Sequence, residues 1–341
     1  MKKFLLLVAA ITTSFLSCGD AASDKNVVNI YTHRHYKADD KLFSQFTEET
    51  GIKVNIVNAS ADELIQRLET EGEASKADVL ITVDAGRLYR AQEKGLLQPI
   101  SSEILEANIG PKFREKDGYW YGMTYRARII AYAKDRVDPE EIKNYEDLTD
   151  PKWKGKVLIR SSENIYNQSL LASIIVAEGE EGAKRWAEGM VANMARNPKG
   201  SDRDQVKAVA SGEGDIAVVN TYYIGLMLND GNEEERKAGE TVGIIFPDQE
   251  GRGTHINISG MGVTKYAPNK ENAIKLMEFL SSESAQQTLA NLNYEYPINP
   301  KAAKAAILKT WGDFKADSID LYNLGKYNSE AVKIFDHAGW K

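Results

Sequence analysis

Between Val27 and Val83 short apolar runs alternate with amphipathic helical stretches, and this alternation restricts the fold more than any other feature of the chain. Residues 27–31, 53–57 and 77–83 read as strands, the last an unbroken apolar run of the kind buried on both faces of a parallel sheet. Asp39 or Asp40 is placed to cap a helix that carries Leu42, Phe43 and Phe46 on one face and stops before Gly51. Leu64, Ile65 and Leu68 repeat the helical spacing across 62–69. Parallel strands need crossover connections, and these helices supply them, so the chain opens as a βαβαβ unit.

The rhythm breaks after a helix over 85–93 that ends at Gly95, where 120–123 and 129–133 read as strands of a hairpin-like crossing. A second α/β series starts at Pro151-Lys152-Trp153-Lys154-Gly155, with strands at 156–159, 215–220, 242–246 and 256–263. Its helices fall at 168–176, 180–190, 270–281 and 284–292, and the chain after Pro300 reads as helical and amphipathic. With 341 residues, 42% of them hydrophobic, there is enough apolar material for about two cores. No flexible linker separates the two series, so they are expected to form two lobes joined by crossing strands that act as a hinge.

The N-terminus carries an export signal. Lys2 and Lys3 precede the apolar run 4–11, and a polar stretch leads to Cys18, which is the anatomy of a secretory signal peptide over 1–17. No later run is long enough to span a bilayer as a helix. Cys18 is the only cysteine, so no disulfide within the chain and no thiolate cluster can form. Leu16-Ser17-Cys18-Gly19 resembles the lipobox of bacterial lipoproteins, in which the cysteine is acylated, and the polar segment 18–26 then serves as a tether. The formal charge of -7 argues against a general nucleic-acid binder, and losing two lysines with the signal makes the exported form more acidic.

Catalytic motifs are missing: there is no G-x-S-x-G, no Walker loop, no G-x-G-x-x-G after the first strand and no H-E-x-x-H. His33 and His35 share one face if the strand continues, but a lone histidine pair without further company reads first as exposed loop residues after the strand. Tyrosines give more. Of the 16 in the chain, Tyr36, Tyr166, Tyr222 and Tyr223 follow strand ends, the region where open α/β sheets bind ligands. Spacing alone leaves open whether they are half-buried aromatics with solvated hydroxyls or ligands. The chemistry that needs several phenols together is capture of a hard trivalent cation such as ferric iron, because phenolate oxygen is a hard anionic donor. Four phenolates around Fe(III) leave one net negative charge, close enough to neutral to be buried at limited cost.

At these residues the sequence resembles the bacterial periplasmic ferric-ion-binding proteins of ABC iron-uptake transporters, in the subgroup rich in tyrosine and containing a histidine. The resemblance runs through Val28-Asn29-Ile30-Tyr31, Arg34-His35-Tyr36, Arg126-Ala127-Arg128-Ile129-Ile130, Trp153-Lys154-Gly155-Lys156-Val157, Gly200-Ser201-Asp202-Arg203-Asp204, Asn220-Thr221-Tyr222-Tyr223 and the tail from Asn323-Leu324-Gly325 to Lys341. It implies an α/β chain of the type II periplasmic-binding-protein fold, with a lobe from 27–125 and 250–300 and another from 126–249 and 301–341. It implies Fe(III) as transported ligand, held by the phenolates of Tyr36, Tyr166, Tyr222 and Tyr223 with His35 as fifth ligand. Arg34, Arg126 and Arg128 then either stabilise phenolates or an anion, or form salt bridges between the lobes. The implied partner is an ABC permease of the inner membrane, the implied state a monomer, and the place the periplasm or cell envelope, tethered through acylated Cys18.

Two other readings compete. The same fold serves receptors for organic cations such as polyamines or thiamine, which use aromatic faces and carboxylates. An extracytoplasmic enzyme would use His35, Asp84 or Glu163 as acid or base, though no spacing supports it.

Overall fold

A computed structural model of the protein describes residues 26–341. The signal peptide and nearly all of the tether read from the sequence, Cys18 included, lie outside the described residues. Nine strands are present among them: β1 Val27–Thr32, β2 Lys53–Asn58, β3 Val79–Thr82, β4 Tyr121–Ala133, β5 Val157–Leu158, β6 Ile216–Asn220, β7 Val242–Ile245, β8 Ile256–Val263 and β9 Tyr296–Pro297. Their main order is β2-β1-β3-β8-β4-β6-β5, with β7 and β9 also paired to β4. The opening βαβαβ unit gives the parallel pairs β1–β2 and β1–β3, joined by helices Lys37–Thr50 and Ala61–Glu71.

The two lobes meet along β4. Residues Tyr121–Ala127 of this 13-residue strand pair antiparallel with β8 in the first lobe, and Arg128–Tyr132 pair antiparallel with β6 in the second. The hairpin-like crossing expected at 120–133 is therefore one continuous strand. The stretch Thr124-Tyr125-Arg126-Ala127-Arg128 between the two apolar runs stays extended because it finds ladder partners on both lobes. The chain crosses back just before β8, where the amide of Arg128 donates to the carbonyl of His255 at 2.9 Å.

Each lobe has its own apolar core. In the first, Ile30, Leu80, Ile81 and Met261 from the sheet pack on Leu42, Phe46, Leu64, Leu276 and Leu280 from its helices. The second lobe's sheet is covered on both faces. Ile130, Ile216 and Val218 face helices Ile165–Asn193 and Asn328–Ala338, while Ile129, Ala217 and Val219 face helices Asp202–Ala210 and Thr221–Leu228. This two-residue alternation along β4 and β6 is why their sequences read as nearly continuous apolar runs. The long helix Ile165–Asn193 is broken at Gly179, whose φ of 72° and ψ of 174° are non-helical, in the place where the sequence pattern shows two helices.

Three other expectations change. Helix Lys37–Thr50 is preceded by Tyr36 rather than capped by Asp39 or Asp40, because Asp39 is buried against the Arg34 guanidinium. After Pro300 the chain forms three short helices, Ala306–Thr310, Tyr322–Lys326 and Asn328–Ala338, separated by irregular backbone. Nor does 301–341 belong to the second lobe alone, since Leu321 and Leu324 insert into the first lobe's core before Ile334 and Phe335 return to the second.

Candidate metal centre between the lobes

Each of the four strand-end tyrosines sits at the start of a helix. Tyr36 is the residue before helix Lys37–Thr50, Tyr166 is the second residue of Ile165–Asn193, and Tyr222 and Tyr223 are the second and third of Thr221–Leu228. Helical side chains lean toward the N-terminus, where the helix dipole favours negative charge, so these phenols occupy positions suited to becoming phenolates.

The tertiary structure brings them together. The hydroxyls of Tyr166 and Tyr222 lie 3.2 Å apart, and the Tyr222 and Tyr223 rings are 4.2 Å apart between centroids. Tyr36, from the other lobe, meets Tyr222 edge-on at 6.3 Å. His35 stacks on Tyr36 at 5.3 Å but is exposed, with Nδ1 3.3 Å from the carbonyl of His33. Its neighbour His33 is held neutral, its pKa lowered to about 3 by burial and by Arg87, Arg34 and Arg126.

Burial pushes the phenols of Tyr36, Tyr222 and Tyr223 up, and the neighbouring Tyr166 pushes each further. They keep their protons at neutral pH until a stronger positive field displaces them. Part of such a field is built in. Arg126, Arg128 and Arg160 lie 5.4, 5.9 and 5.8 Å from the ring centre of Tyr166, and Arg34 lies 5.0 Å from that of Tyr36.

These cations are not equivalent. Arg34 is engaged by Asp39, Glu295 and Ser259. Arg128 is engaged by Asp202, Asn220 and Asn167. Arg126 is 1% exposed, and none of its three guanidinium nitrogens has a hydrogen-bond partner. It lines a narrow recess with Arg128, Tyr166, Asn220, His255 and Asn257 that is too tight to seat a water molecule. An unpaired buried charge costs several kcal/mol on an order-of-magnitude scale, and an anionic complex at the phenols would offset it.

Sequence reasoning named all four phenols and three of the four arginines. It missed Arg160 and the residues that engage Arg34 and Arg128, of which Glu295, Ser259 and Asn167 carry no local signal because their partners are distant in sequence. Among the described residues no group of three or more His, Cys, Asp or Glu side chains is placed to hold a metal. The enzyme candidates do not form a reactive set: Asp84 is fully buried among hydrogen-bond donors, while Glu163 and His35 are exposed.

Known proteins show the same architecture. The sequence model of bacterial extracellular solute-binding proteins matches residues 41–316. The chain is 51% identical over 322 residues to iron uptake protein A1 of Synechocystis, covering 94% of this chain and 89% of that one. A Trichodesmium protein solved with iron and citrate ligands superposes with a TM-score of 0.89 at 49% identity, over 92% of this chain and 100% of that one. The ferric binding protein of Campylobacter jejuni superposes with a TM-score of 0.89 at 47% identity, over 92% and 100% of the two chains. The fold is therefore that of a periplasmic binding protein.

Proposed function

The chain belongs to the bacterial extracellular solute-binding proteins, and from that premise we propose that it is the Fe(III)-binding component of an ABC iron transporter, capturing ferric iron between its lobes and passing it to a permease. The observation that carries this reading is the convergence of four phenols from both lobes on one point, with the Tyr166 and Tyr222 hydroxyls 3.2 Å apart and Tyr36 beside them. Tyr36, Tyr166, Tyr222 and Tyr223 are the proposed ligands, each giving up its proton to become a hard anionic donor. His35 is the proposed fifth ligand, supported by its stacking on Tyr36 and its exposed ring. The ferric tetraphenolate carries one negative charge, and the Arg126 guanidinium, which has no hydrogen-bond partner, supplies a positive charge beside it.

A receptor for an organic cation would need carboxylates at the aromatic cluster, whereas the acids near it, Asp39, Glu295 and Asp202, are turned to Arg34 and Arg128. The family is one of solute-binding proteins rather than enzymes. We further propose that the protein works as a monomer outside the cytoplasm, exported by the signal at 1–17 and tethered by a lipid on Cys18. The sequence Leu16-Ser17-Cys18-Gly19 supports the tether. Such an anchor holds firmly only with two or more acyl chains, at about 0.8 kcal/mol per buried methylene.

Addition of one equivalent of ferric iron to the purified protein tests the central claim. Phenolate-to-iron charge transfer is expected to colour it orange to red, and a colourless titration without binding would refute the assignment. Fractionation of cells tests the tether, because Cys18→Ser is expected to move the protein from the membrane to the soluble fraction.

A further inference from the structure

Asp84 is a carboxylate with no solvent exposure and no cation bound to it, an expensive arrangement unless every oxygen is met by donors. Its Oδ1 accepts from the amide of Arg87 at 3.2 Å, which caps helix Ala85–Glu93 of the first lobe. Its Oδ2 accepts from Asn257 Nδ2 at 2.6 Å and from Ser169 Oγ at 2.7 Å. Asn257 is fixed in turn, its Oδ1 accepting from the amides of Ala85 at 3.0 Å and Ile258 at 2.8 Å. Ser169 belongs to the other lobe. It is also fully buried, and it lies on helix Ile165–Asn193 one turn beyond Tyr166.

We propose that Asp84 and Ser169 form a clasp between the lobes that positions the Tyr166 helix against the first lobe and so slows the escape of whatever the tyrosines hold. Neither residue touches the cargo; both are positioning residues. When the lobes part, Ser169 leaves and water takes its place on the carboxylate, so closing exchanges one donor for another with little net loss. Removing the Ser169 hydroxyl leaves the carboxylate short of a donor only when the lobes are together, and this selectively penalises the closed arrangement. The adjacent packing supports the same geometry. Helix Tyr322–Lys326 lies against both Ala85–Glu93 and Ile165–Asn193, and a Cβ on Gly86 would meet the Gly325 backbone at 3.3 Å. Asn328 Nδ2 donates to Gln168 Oε1 at 3.0 Å, beside Ser169 on the same helix. The helix that Asp84 caps is thus packed closely against Tyr322–Lys326 beside its partner.

The consequence for iron rests on the function proposed above, but the clasp itself is testable without iron. In the metal-free protein, Ser169→Ala is expected to have a larger radius of gyration by small-angle scattering than the parent. Once loaded, it is expected to lose iron to excess chelator about tenfold faster or more, as for a lost hydrogen bond to a charged group. Its phenolate-iron absorption band should stay where it is in the parent, because the ligands are intact. Asp84→Asn and the double variant complete a cycle. If the two residues act through one contact, the double variant releases iron no faster than the worse single variant. Equal radii together with equal release rates in parent and Ser169→Ala would overturn the clasp, as would fully additive effects in the cycle. If the parent takes up no iron, the cargo assignment fails by itself and the radii alone decide the clasp.

Discussion

Four tyrosines and one arginine carry most of the proposed chemistry at the residue scale. Tyr222 and Tyr223 come from one helix start, so replacing both removes two anionic donors that neutral water does not replace. Tyr222→Phe with Tyr223→Phe is expected to abolish tight ferric binding in competition with citrate while leaving the circular dichroism unchanged. Tyr36→Phe should weaken binding less, and His35→Ala least, since a neutral imidazole adds no charge compensation. Arg126 gives a prediction with two signs. Its buried guanidinium is unpaired, so Arg126→Gln is expected to raise the melting temperature of the metal-free protein by a few degrees, equivalent to about 1–3 kcal/mol. The same change should weaken ferric iron binding about tenfold or more, because two unit charges some 6 Å apart interact by a few kcal/mol at an effective dielectric near 20. A variant less stable without metal and unchanged in affinity would show that Arg126 is a packing residue.

At the scale of elements, the return crossing between β7 and β8 contains a left-handed residue that is not glycine. Asp248 has a φ of 63°, in the left-handed region, and its carboxyl is raised to about 6 by burial, which outweighs the opposing effect of Arg252. In the unfolded chain the same carboxyl ionises near pH ~4. The folded state therefore favours the protonated acid. The stability this lends is fully present below about pH 4 and is lost as the pH rises through about 6. Asparagine tolerates the left-handed conformation and stays neutral. Asp248→Asn is thus expected to melt higher than the parent at pH 7.5 and at the same temperature near pH 4, measured by calorimetry. A constant offset at both pH values would assign the effect to packing instead.

For the whole molecule, the relevant quantity is the number of protons exchanged when the lobes close on iron. Burial raises the phenols of Tyr36, Tyr222 and Tyr223, so each, as a proposed ligand, would enter the metal complex by giving up a proton it would otherwise keep. Ferric affinity should therefore fall as the pH falls, by at least about a decade per pH unit between pH 7 and 5 and more steeply as more protons are coupled. A titration against a chelator of known protonation measures the slope directly. A flat profile would mean that the ion is held by groups already ionised, which phenols at neutral pH are not.

The local elements and the four candidate tyrosines were legible in the sequence alone. Periodicity alone placed β1 to β3 and their helices, because each strand and helix buries one contiguous set of side chains that a short window reveals. Tyr36, Tyr166, Tyr222 and Tyr223 were legible as strand-end residues, since the α/β rhythm marks where each strand gives way to a helix. Long-range pairing decided the rest. That 121–133 is one strand and not two depends on β8 and β6 binding its two halves, and neither partner lies within 80 residues of it in the chain. Arg34, Arg126 and Arg128 look alike in sequence, yet only the folded chain brings Glu295 to the first and Asp202 to the third while leaving the second without a hydrogen-bond partner. Asp84 shows the same limit: as a lone acid after a strand it could serve as a base, a cap or a ligand, and only the arrival of Ser169 from the other lobe gives it a role. Hydrogen bonds and charge balance are properties of pairs, and for buried groups the second member of the pair is chosen by the tertiary fold.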